Sequence, residues 1–70
     1  MIYYRIRELR EEHNLNQQTV ASYLNIKQGT YSDYENGKIN IPIEAFIKLA
    51  DLYHVSIDYL VNRTNKDTLK

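Results

Sequence analysis

The sequence predicts an all-α fold of five short helices. Three observations carry that reading. Apolar residues recur at intervals of three and four, as in Ile2, Ile6 and Leu9, and again in Val20, Ala21 and Leu24. No run alternates apolar and polar residues as a half-buried strand would. The stretch Leu15 to Lys38, LNQQTVASYLNIKQGTYSDYENGK, reads as two short helices joined by a tight turn and closed by a second turn at Asn36-Gly37.

The first helix is predicted over 3–13, with Arg5, Glu8, Glu11 and Glu12 off its apolar stripe. Asn14 offers a left-handed stop, and Leu15 anchors the chain inward. Asn16 is the expected N-cap of the second helix, 17–24, where Ala21 permits a close helix crossing. Asn25 follows at once; asparagine is the non-glycine residue best suited to a left-handed turn. Ile26 returns to the core, and the third helix runs over 28–35, with Gly37 the natural left-handed position after it.

Pro42 opens the fourth helix, 43–53, where its missing N–H costs little. Ile43, Phe46, Ile47, Leu49, Ala50 and Tyr53 are its expected apolar positions, and His54 sits where a C-terminal glycine would be comfortable. Ser56 caps the fifth helix, 57–62, with Asp58 in its first turn. Residues 1–62 thus form one domain and 63–70 a polar tail expected to fray. Tyr23, Tyr31, Tyr34 and Tyr53 fit core or core-edge positions better than base-stacking ones.

Composition narrows the function. A chain of 70 residues buries only about 60% of its unfolded surface, which favours a compact bundle, alone or as a dimer. There is no cysteine, and the two histidines, His13 and His54, fall near the ends of separate helices, so no metal site is expected. No nucleophile is paired with a base, and two glycines cannot build a phosphate cradle, so neither an enzyme nor a cofactor is expected. No apolar run approaches the ~20 residues of a membrane span, and the N-terminus MIYYRIRELREE is too charged for a secretory signal; a cytoplasmic protein is expected. The sequon Asn62-Arg63-Thr64 reads as coincidence there. Lys and Arg number 9 and Asp and Glu number 9, so any positive footprint must come from placement rather than total charge.

The third helix shows where to look. At about 100° per residue, Gln28, Gly29, Ser32 and Asp33 share one side, while Thr30, Tyr31 and Tyr34 share the other. The tyrosines mark the buried side, and Asn36 extends the outer stripe. Glutamine can form two hydrogen bonds with adenine, serine can match several base edges, and aspartate can accept from cytosine. Gly29 would let the backbone come close. Lys27 can reach a phosphate or a guanine, and Lys38 a phosphate. An isolated helix with such a face would ordinarily be only solvated; the surrounding pattern decides.

That pattern resembles the Xre / Cro-CI type helix-turn-helix family of phage and bacterial repressors. The similarity is carried by Ile6-Arg7-Glu8-Leu9-Arg10, Leu15-Asn16-Gln17, Ala21-Ser22-Tyr23-Leu24-Asn25-Ile26, Gln28, Tyr34-Glu35-Asn36-Gly37-Lys38 and the run Ile47 to Leu60. The resemblance implies a five-helix, lambda-repressor-like DNA-binding domain whose third helix reads the major groove of double-stranded DNA. It implies base contacts from Lys27, Gln28, Gly29, Ser32 and Asp33, and phosphate contacts from Asn16, Gln17, Asn36 and Lys38. By themselves Arg10 and Glu35 could be surface charges; the resemblance makes them an ion pair joining the first and third helices. Ile57, Tyr59 and Val61 become candidates for a homodimer interface. A bacterial or phage-encoded transcriptional repressor binding a palindromic operator is the expectation, with no small-molecule ligand. The alternative is an antitoxin-like or other protein-interaction module, to which zero net charge and Asp33 are favourable.

Four positions depart from the family pattern. Asn25 and His54 replace glycines, Tyr31 stands where a branched aliphatic is usual, and Asp33 stands where Lys, Arg or Gln is common.

Overall fold

A computed structural model describes residues 2–62 as five helices: α1 (Tyr4–Glu12), α2 (Gln17–Leu24), α3 (Gln28–Glu35), α4 (Ile43–Tyr53) and α5 (Ile57–Leu60). No strand occurs among the described residues, and none of their helices is long and apolar enough to cross a membrane. Met1 and the tail at 63–70, where fraying is expected, lie outside the described residues.

Local chemistry explains the boundaries. Asn16 Oδ1 accepts from the Thr19 N–H at 2.8 Å and caps α2; Ser56 Oγ accepts from the Tyr59 N–H at 3.0 Å and caps α5. Asn25 ends α2 in the left-handed region (φ 63°), which turns the chain into α3 within three residues. Asn14, His54 and Asn62 adopt the same region, and Gly37 does so after α3 (φ 71°). The Lys38 N–H then reaches back to the Asp33 carbonyl at 3.0 Å, closing the helix end.

The core gathers one stripe from each helix. Ile6, Val20, Tyr31, Leu49 and Leu60 are its largest fully buried side chains. Tyr3 meets Phe46 edge-on, with ring centroids 5.2 Å apart. α2 and α3 pack against each other, α1 packs on α3 and α5, and α4 packs on α5. The inner side of α3 is therefore held by two helices, while its outer side is left uncovered.

Several sequence expectations need correction. α1 is one residue shorter at each end than expected, and α5 stops at Leu60 with Val61 as its C-cap. Ile2, Ile43 and Ile47 are exposed rather than inward. The stripe of α4 runs through Ala45, Phe46, Leu49, Ala50 and Tyr53, and Ile43 and Ile47 lie about a quarter turn or more off its centre. Tyr23 is likewise exposed, its hydroxyl donating to the Lys48 carbonyl at 3.2 Å.

Candidate nucleic-acid interface

α3 sorts its residues by side. Tyr31, Tyr34 and Glu35 are buried; Gln28, Gly29 and Asn36 are exposed, and Ser32 and Asp33 are half-exposed. Lys27 precedes the helix as its N-cap, with no side-chain cap on the first-turn N–H groups, and Lys38 follows it; both lysines are exposed. Asn36 Nδ2 donates to Ser32 Oγ at 3.3 Å across one turn of the outer face. A Cβ added at Gly29 would meet nothing within 4 Å, so the protein itself leaves that stretch of backbone open.

Beneath this face lies a buried polar network. Arg10 donates from Nε to Glu35 Oε2 at 2.6 Å and from Nη2 to Glu35 Oε1 at 3.2 Å, a two-pronged pair tying α1 to α3. Its Nη1 donates to the Leu15 carbonyl at 2.9 Å, which holds the loop before α2. The Glu35 side chain is 3% exposed. Glu35 Oε2 also accepts from the Tyr31 hydroxyl at 2.5 Å, and Oε1 from Gln17 Nε2 at 3.1 Å. Burial works to raise the Glu35 pKa, but the hydrogen bonds from Arg10, Tyr31 and Gln17 outweigh it and hold the carboxyl below its ordinary range. The hydrogen bond to Glu35 raises Arg10 in turn, against the effect of burial. Tyr31 is pushed well up, by burial first and then by its bond to Glu35.

The network reaches the outer face. Gln17, at the first position of α2, accepts on Oε1 from Gln28 Nε2 at 2.8 Å. Sequence reasoning placed Gln17 only at a phosphate and missed its inward partner. It also missed the Tyr31 hydroxyl, although the four-residue spacing from Tyr31 to Glu35 signals one helix face. Asn16 is exposed, but its Oδ1 is engaged as the α2 cap, leaving Nδ2 without a partner among the described residues. Ile57, Tyr59 and Val61 are half-buried against the core, and the Arg5 guanidinium lies 4.0 Å above the Tyr59 ring while Nη1 donates to the Tyr59 carbonyl. Less apolar surface is therefore free on α5 than the sequence suggested.

The chain is similar to known proteins along most of its length. The helix-turn-helix family matches residues 6–60. The cryptic phage CTXphi transcriptional repressor RstR of Vibrio cholerae is 42% identical over 65 residues, covering 90% of this chain and 59% of the repressor. The HTH-type transcriptional regulator AnsR of Bacillus subtilis is 39% identical over 59 residues, 84% of this chain and 51% of AnsR. The crystal structure of a transcriptional regulator from Listeria innocua superposes with a TM-score of 0.78 at 33% identity, covering 91% of this chain and 60% of that one. The chain thus spans between half and three-fifths of the length of these relatives.

Proposed function

The chain belongs to the helix-turn-helix family, and from that membership we propose that it is a sequence-specific transcriptional regulator, a repressor, that binds a palindromic operator in double-stranded DNA. The observation that carries the reading is the uncovered polar side of α3, backed by α1 and α2. In this reading α3 enters the major groove, which admits a helix of this width. Lys27, Gln28, Gly29, Ser32 and Asp33 meet base edges; Asn16, Gln17, Asn36 and Lys38 meet phosphates and set the register. Bound operator is then closed to polymerase.

Dimension supports a dimer. The described part of the chain measures 31 × 23 × 19 Å and holds a single α3. Successive major grooves on one face of a duplex are about 34 Å apart, so reading two half-sites takes two copies related by a two-fold axis. Ile57, Tyr59 and Val61 remain the proposed contact between copies, with the Arg5 guanidinium stacked on the Tyr59 ring.

Selection of bound sequences from a random duplex pool at two salt concentrations tests the proposal. A palindrome is expected, with affinity that falls as salt rises. Gln28→Ala is expected to cost roughly 1–3 kcal/mol at one base position and relax preference there. Lys38→Ala is expected to weaken binding to every sequence and to flatten the salt dependence. Recovery of no sequence, or salt-independent capture of a protein partner instead, would favour an antitoxin-like interaction module.

A further inference from the structure

We propose that the buried Glu35 carboxylate, acting through Gln17, fixes the direction of the Gln28 side-chain amide and so decides which base edge Gln28 can match. The inference rests on Gln28 reading a base, as proposed above.

The argument is one of donors and acceptors. An ionised carboxylate can only accept. Glu35 takes both prongs of Arg10 and the Tyr31 hydroxyl, and its remaining partner is Gln17 Nε2. Gln17 therefore has no freedom to turn its amide over: its nitrogen must face Glu35 and its oxygen must face away. That oxygen can only accept, so it calls for the nitrogen of Gln28, which stands 2.8 Å from it. Two choices of amide direction, at Gln17 and at Gln28, are thus made by one buried charge.

What remains on Gln28 is its whole Oε1 and one Nε2 hydrogen. An acceptor beside a donor complements the major-groove edge of adenine, which offers an amino donor at N6 and an acceptor at N7. The reversed amide would turn its oxygen toward Gln17, leaving it one lone pair, and would point both Nε2 hydrogens outward, and two donors complement the paired acceptors of guanine. Glu35, Arg10 and Tyr31 are positioning residues here. Glu35 is 5% exposed, so it acts on a duplex only through its neighbours.

The test replaces the network with apolar side chains, Arg10→Met/Tyr31→Phe/Glu35→Leu, since buried charged networks exchanged whole for apolar residues often keep the fold. If thermal melting shows that variant to be unfolded, Gln17→Met cuts the same connection nearer the surface. Bound sequences are selected from a random duplex pool for wild type, the network variant or Gln17→Met, and Gln28→Ala. Wild type is expected to select adenine at the position that Gln28→Ala relaxes. The variant lacking the connection is expected to lose about tenfold of the adenine-over-guanine preference there, with preferences elsewhere unchanged. A merely structural role, or in Gln17→Met the loss of a phosphate contact, would lower affinity for every sequence alike and leave the adenine preference unchanged. An unchanged adenine preference, or a wild-type preference for guanine at that position, overturns the relay while leaving base reading intact. If Gln28→Ala relaxes no position, base reading by Gln28 fails and the relay with it.

Discussion

Tyr31 stands one helical turn before Glu35, and its hydroxyl donates to Glu35 Oε2 at 2.5 Å from a ring wholly shielded from solvent. A branched aliphatic at that position could fill the space but could not serve the carboxylate. With Arg10 and Gln17, Tyr31 completes a shell in which each carboxylate oxygen accepts two hydrogen bonds. Removing Glu35 leaves the Arg10 guanidinium, the Tyr31 hydroxyl and the Gln17 amide short of an acceptor at once. Glu35→Ala is therefore expected to cost about 3–5 kcal/mol, read from urea unfolding. Melting close to wild type would show that the network contributes little.

The same shell sets an acid limit. Despite the opposing effect of burial, the hydrogen bonds hold Glu35 below its ordinary value of 4.5 in the folded state. A carboxyl depressed by folding lends stability that is complete above its unfolded pKa and is lost as pH falls through the folded one. Wild type is expected to lose stability progressively below pH 4.5, and Glu35→Gln to start lower but fall less over the same range. Parallel curves for the two proteins, followed by circular dichroism, would place the acid sensitivity elsewhere.

Much of this was legible in the sequence, and the limits are physical. The left-handed turn at Asn25 and the cap at Asn16 depend on adjacent residues, so the helix boundaries could be read locally. The side assignment along α3 followed from rotation alone, because Tyr31 and Tyr34 left little doubt which side was inner. The exposure of Ile43 and Ile47 was not legible: α4 carries apolar residues on more than one face, and only packing selects the stripe containing Ala45. The Gln17 connection was equally hidden, since it joins side chains 11 and 18 residues apart through the crossing of α2 with α3.

Tyr53 offers a contrast with Tyr31. Its hydroxyl is buried without a hydrogen-bond partner among the described residues, and burial pushes its pKa up to about 12. A buried donor without a partner is destabilising, so Tyr53→Phe is expected to be neutral or to gain about 1 kcal/mol. A phenol raised by folding lends stability that is complete below its unfolded value of 10.0 and is lost as pH rises through the folded one. The wild-type decline between pH 10 and 12 is expected to be shallower in Tyr53→Phe. Destabilisation of the variant at neutral pH would mean that the hydroxyl has a partner in solution.

His54 ends α4 with φ 56°, a conformation that costs a side chain with a Cβ roughly 1–2 kcal/mol, less for asparagine. The position is exposed, so a replacement gives up little packing. His54→Gly is expected to stabilise the fold by about 1 kcal/mol after the added freedom of the unfolded chain is counted, a rise of roughly 4–8 °C in Tm for a chain of this size. Asn25→Gly is the control: the same backbone region (φ 63°), already occupied by a tolerant residue, is expected to give a smaller gain. Equal gains at both positions would remove strain at His54 as the cause.

Gly29 separates stability from recognition. Its helical backbone would accept a methyl group without contact inside the protein, and alanine favours a helix over glycine by up to about 1 kcal/mol. Gly29→Ala is therefore expected to raise the melting temperature. If the backbone at Gly29 closes on the floor of a major groove, the same methyl intrudes there, and operator affinity is expected to fall although the fold is firmer. Thermal melting and operator titration on one preparation read both effects. A firmer fold with undiminished affinity would place Gly29 away from the duplex and leave Gln28 and Ser32 to make the closest approach.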